Sequence, residues 1–134
     1  MLTAALLTTA LLFGGIVLYS FGFAAFLFTA LPPDLAGPTI RRAFPLFYLF
    51  VMGTAAAAAA LAWPYDPLAA GLLAAIAVTT LPTRQVLMPA INRATDIGAK
   101  TRFKVLHGLS VGITLVHIVL AGFVLARLAG GPAA

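Results

Sequence analysis

The stretch FKVLHGLSVGITLVHIVLAGFVLARL, Phe103–Leu128, holds full charges only near its two ends, at Lys104 and Arg127. As a helix rising 1.5 Å per residue it is about 39 Å long, more than the roughly 30 Å hydrocarbon core of a bilayer. Its polar residues are ordered. At 100° per residue His107, Ser110, Thr114 and His117 fall within about 80° of arc, and Ala121 continues their line. Gly108, Gly112, Gly122 and Ala126 form a second, small-residue face. Leu109, Ile113, Val116, Leu120 and Phe123 form a third, which is expected to meet lipid.

Working outward, three more spans emerge. The first covers approximately 3–30 and ends at Leu31-Pro32-Pro33-Asp34, where paired prolines lack N–H donors and push the preceding residue out of the α region. Its uncharged run is too long for the apolar core of a signal peptide and has no basic residue before it, so it reads as a retained transmembrane helix. The second covers approximately 44–63, with Pro45 in its first turn and the run Ala55–Ala60 making a narrow helix that neighbours can approach closely. The third covers approximately 68–88, and Pro82 is expected to kink it near Thr79, Thr80 and Thr83. The fourth, approximately 103–128, completes an all-α membrane protein: an antiparallel bundle of four transmembrane helices in a single domain, 1–134.

Composition supports this class. The 134 residues are 63% hydrophobic and 8% charged, against about 45–50% and 25% in soluble domains. Such a chain cannot cover itself with water-compatible groups, which excludes a soluble enzyme and a nucleic-acid-binding domain. Without cysteine it has no disulfide, thiolate metal site or thiol nucleophile. The net charge of +5 is a topology signal. Arg41 and Arg42 lie in the connection 31–43, and Arg93, Lys100, Arg102 and Lys104 in the connection 92–104. The turn at 64–67 has no basic residue. Basic loops stay cytoplasmic, so both termini are expected outside, with Trp63 and Tyr65 at the outer interface and Phe44, Phe47 and Tyr48 at the inner one.

Two polar groupings are candidates for function. His117 sits mid-span, where ionisable residues are functional candidates by default. Its alternatives are a proton relay, substrate contact or ligand, or a neutral imidazole held by a helix–helix hydrogen bond to Thr54 or Tyr19. His107 lies near the cytoplasmic interface and also reads as an amphipathic anchor. The other grouping is Arg84, Asn92 and Asp96. Arg84 snorkels to the headgroups or pairs with Asp96, and Asp96 stands at i,i+4 from Lys100. The bland reading is a headgroup anchor with turn chemistry; the functional one is a polar pocket at the cytoplasmic mouth, closed by Arg41 or Arg42. Gly108-xxx-Gly112 suits packing inside the bundle or homodimerisation. No metal site is expected, because His107 and His117 are about 15 Å apart along one helix, too far to share an ion. The chain has no Glu and no GxSxG, HExxH or Walker loop, so no catalytic set emerges.

Several of these stretches resemble a family. Phe26–Leu31, Ala43–Tyr48, Met88-Pro89-Ala90-Ile91-Asn92-Arg93 with Asp96, and Arg102–Ser110 together resemble the bacterial four-helix membrane domain of unknown function related to the eukaryotic transmembrane protein 205. The resemblance implies a helical membrane fold without assigned catalysis, in the bacterial inner (plasma) membrane. It also implies that Asn92, Asp96, His107 and Ser110 are family-type polar positions. His117 is not part of that pattern.

The expected function is an integral membrane binding or accessory module, not an enzyme and without a cofactor, that offers a polar cytoplasmic-side pocket. Expected partners are the lipid bilayer and a homodimer or larger membrane complex, with no nucleic acid. Two other classes stay open. One is a small transporter or permeation unit acting as an oligomer with His117 and Arg84 lining the path; the other is a haem-dependent redox membrane protein.

Overall fold

Four long helices carry the chain, joined by turns of two to four residues. A computed structural model describes residues 1–131. The helices are α1 (Leu2–Ala30), α2 (Pro33–Ala62), α3 (Pro67–Asp96) and α4 (Lys100–Ala129), each long and apolar enough to cross a membrane. No strand occurs among the described residues. At about 45 Å each helix exceeds the hydrocarbon thickness, so each tilts or extends into a headgroup layer. Consecutive helices pack antiparallel, and α4 closes the ring against α1. The fold expected from the sequence is the one observed.

The helices reach further than the apolar runs that define them. Residues 33–43 belong to α2 and residues 89–96 to α3, beyond the spans of approximately 44–63 and 68–88 read from the sequence. Pro33, in the first turn of α2, needs no N–H partner. Pro38 and Pro45 lie inside α2, and neighbours supply donors beside the second: Tyr19 Oη donates to Ala43 O (2.9 Å) and Arg84 Nε to Pro45 O (3.1 Å). The end of α3 is set by Gly98, at φ +70°. Gly98 N–H donates to Thr95 O and Ala99 N–H to Ala94 O, a Schellman closure that needs a left-handed residue there. Because the helix stops at Asp96, the expected helical i,i+4 pair of Asp96 with Lys100 does not form.

Two π-helical turns interrupt the ladder, at Leu18–Phe23 in α1 and at Thr83–Leu87 in α3. The second follows Pro82, so the irregularity expected there takes the form of a widened turn. Tyr19 and Ser20 lie in the first π turn and Arg84 in the second.

The core runs along the half of the bundle that holds the termini. Leu12, Ile16, Val51, Leu73, Ile76 and Val124 are fully enclosed, and Ala55, Ala58 and Ala62 of α2 are buried beside Ala69 and Ala70 of α3. Small side chains let the backbones approach, which drives helix association where lipid offers no hydrophobic gain. Gly15 shows how close the approach is: a Cβ there would lie 2.6 Å from Phe50. Phe47 and Tyr48, expected as interfacial anchors, are buried instead. They join Tyr19 and Phe44 in an aromatic cluster, with Tyr19 stacked on Phe47 at 4.9 Å between ring centroids. Trp63 and Tyr65 are exposed at the turn between α2 and α3, as an interfacial belt requires.

The three faces of α4 divide as follows. The polar stripe grades from the exposed His107 through the half-buried Ser110 and Thr114 to the buried His117 and Ala121. Leu109, Val116 and Phe123 face out, while Ile113 and Leu120 are half-buried. Gly122 packs on Phe13, but Gly108 and Gly112 are exposed and would meet nothing within 4 Å. That segment of the small face does not pack inside the bundle.

Candidate functional site

The charged ends of the bundle differ. At the terminal end Asp66 caps α3, accepting from Leu68 N–H and Ala69 N–H, both at 3.1 Å, and pairs with Arg127 of α4. The Arg127 hydrogen bond, aided by the two backbone donors, holds the Asp66 carboxyl below its usual range. Asp66 and Arg127 cancel, so the whole formal side-chain charge of +5 belongs to the opposite, basic end.

At that basic end all four helices contribute to a cavity of about 630 Å³, within the roughly 300–1,000 Å³ typical of small-molecule sites. Asn92, Asp96, His107, Ser110 and Thr114 line it. Five of the seven polar residues singled out from the sequence therefore converge on one space. Arg41 closes its mouth by a two-pronged contact with Asp96 (2.9 and 3.3 Å), and its guanidinium also reaches Asn92 O at 3.5 Å. Both side chains are substantially solvent-exposed, so the pair orders the mouth more than it stabilises the fold. Apolar walls come from Phe21, Phe28, Phe44 and Phe103. Phe103 also stacks on His107, with centroids 5.3 Å apart and planes 15° from parallel.

Arg84 stands apart from this cavity. The expected pair with Asp96 is absent, because Arg41 holds that carboxylate; Arg84 binds Pro45 O and Gln85 Oε1 instead. His117 lies deeper, in a narrow gap shared with Thr80, Thr83 and Thr114. Its partner is Thr79, at 2.8 Å from Nε2, and neither Thr54 nor Tyr19. The Thr79 hydroxyl also lies 2.7 Å from Ala75 O on its own helix. Thr114 borders both spaces, so the stripe runs from the mouth to mid-bundle. Beyond His117 it meets the core of Leu12, Ile16, Leu73, Ile76 and Val124, where it ends.

Sequence reasoning did not single out Ser20 for function. Its Oγ is buried, has no hydrogen-bond partner and borders the cavity. The available signal was that Ser20 stands one turn beyond Ile16, on the face of α1 that carries Thr9, Leu12 and Ile16. Thr79 was visible as one of three threonines, but its pairing needed the register of α3 against α4.

Four helices, each long and apolar enough to cross a membrane, around a cavity at the basic end define an α-helical membrane protein. Residues 7–100 match the family described as domain of unknown function DUF4149, and the chain belongs to that family. The match contains Asn92 and Asp96, while His107 and Ser110 lie beyond it. No curated protein and no solved structure matches the chain.

Proposed function

We propose that the protein is a non-catalytic binding module whose site is the cavity at the basic end of the bundle. The observation carrying this reading is the convergence of Asn92, Asp96, His107, Ser110 and Thr114 from two helices on one space with aromatic walls. Polar groups few in number and fixed in position, set in an apolar lining, are what orient a bound molecule. The positive-inside rule makes this end cytoplasmic, with both termini outside and a bacterial inner membrane as the setting. Kinship with transmembrane protein 205 is part of the same proposal, since the four positions that carry the resemblance all border the cavity. The exposed Gly108 and Gly112 give α4 a surface for a second copy or another membrane partner.

Binding is favoured over permeation by a single chain because the polar stripe stops at the apolar core beyond His117. The test is a native mass spectrum of protein extracted from its own membranes in mild detergent. The expected result is a species heavier than the 13.8 kDa chain, reduced to the bare chain by the cavity-filling Ser110→Phe substitution. A bare monomer from the wild type contradicts the reading.

A further inference from the structure

The cavity opens sideways, and that opening bears on what fills it. α1 packs against α4 chiefly along Leu2–Val17; further on, the contacts of Ala24–Ala30 are mainly with α2. The two helices thus part toward the basic end. Phe21 and Phe28 on α1, 45% and 61% exposed, border the gap from one side and Val111 from the other. In a bilayer, a gap between two spanning helices faces acyl chains.

The interior asks for something that an acyl chain does not supply. The Ser20 hydroxyl, about 15 Å in from the end of α1, is an orphaned buried donor, and such groups in native proteins have partners. An acceptor on the occupant at that depth would provide one. The half that holds the mouth adds a charge preference: it carries seven basic side chains against two carboxylates, Asp34 and Asp96. Of the seven only Arg41 lines the cavity, where it engages Asp96, so the preference acts through the field of the surrounding cationic end.

We infer that the cavity holds a membrane amphiphile with an anionic phosphate head and ester carbonyls, that is, a glycerophospholipid. The head sits at the mouth beside Arg41 and Asn92, a carbonyl accepts from Ser20 Oγ–H, and a chain leaves between α1 and α4. Soluble phosphate would suit the mouth alone and leave Ser20 and the phenylalanine-lined gap without partners. The inference rests on the binding reading and specifies its ligand.

To test it, detergent-stripped protein is titrated with phosphatidylglycerol, phosphatidylcholine and glycerol 3-phosphate, and one-to-one adducts are counted by native mass spectrometry. The inference predicts one saturable phosphatidylglycerol adduct, about tenfold tighter than phosphatidylcholine, and no glycerol phosphate adduct. Ser20→Ala weakens the adduct a few-fold, as loss of one hydrogen bond requires, and Ser110→Phe abolishes it. Circular dichroism shows whether each variant is folded, and Ser20→Ala stands alone if Ser110→Phe does not fold. Equal binding of the two lipids, insensitivity to Ser20→Ala, or glycerol phosphate binding as tight as the lipid overturns the inference. If stripped protein takes none of the three, yet protein from its own membranes carries another adduct that Ser110→Phe removes, the lipid assignment falls and the binding reading stands.

Discussion

The two halves of the bundle are built from the same four helices but solve different problems. In the terminal half, alanines of α2 and α3 interlock, Leu12, Leu73 and Ile76 are fully enclosed, and the Asp66–Arg127 pair ties the turn to α4. In the basic half, α1 leaves α4 and a cavity of about 630 Å³ opens among the four helices. Between bilayer helices close packing, not water exclusion, drives association. The terminal half therefore carries the stability, and the basic half is left open for a ligand.

The largest effect that sharpens this contrast is a truncation on each side of it. Leu73→Ala leaves a void in the interlocked half and is expected to cost about 2 kcal/mol or more. Val111→Ala, at the edge of the existing cavity, is expected to cost under about 0.5 kcal/mol. Detergent melts or denaturant titrations of the two variants check the pair, and equal losses would erase the difference between the halves. Next in size, Ala58→Leu overpacks the α2–α3 contact and is expected to cost about 1–3 kcal/mol, read in the same melts.

A pH series isolates the tie at the terminal end. The Asp66 carboxyl is held below its unfolded value, so its contribution is complete above the ordinary carboxylate pKa. It is lost as pH falls through the lower folded value. The wild-type melting temperature is thus expected to drop below about pH 4, and Asp66→Asn should remove that part of the acid slope while keeping a cap residue. An unchanged slope would show that the tie contributes nothing. The smallest effect has the opposite sign. Ser20→Ala removes a buried hydroxyl without a partner, so the stripped protein should gain up to about 1 kcal/mol. A loss of that size would mean that Ser20 is satisfied within the protein.

Legibility from the sequence followed the same division. Uncharged runs marked the four helices, and prolines with polar turn residues marked two of the three turns, because long apolar segments have one physical outcome in lipid. The polar stripe of α4 was also readable, since it follows from a 100° repeat, but the inward-packing role was read for the small-residue face, whose Gly108 and Gly112 are exposed. Helix ends were harder. The segments 31–43 and 92–104, which carry most of the charges, read as connections, yet α2 begins at Pro33 and α3 runs to Asp96. Pair identities were unreadable for a related reason. Whether Asp96 meets Arg41 or Arg84, and whether His117 meets Thr79 or Thr54, depends on helix register set by Ala and Gly contacts all along the bundle. The π turns themselves have no residue pattern of their own.

The absence of native cysteine permits a direct test of a bundle open at one end and closed at the other. Single cysteines are placed along the polar stripe of α4 at Ser110, Thr114, Ala121 and Val124, and a small maleimide is added to stripped protein reconstituted in vesicles. The account predicts rapid labelling at 110, slower labelling at 114 and none at 121 or 124 until the protein is unfolded. Comparable labelling at all four positions would contradict it, because the reagent would then be passing through a half that the account holds to be closed.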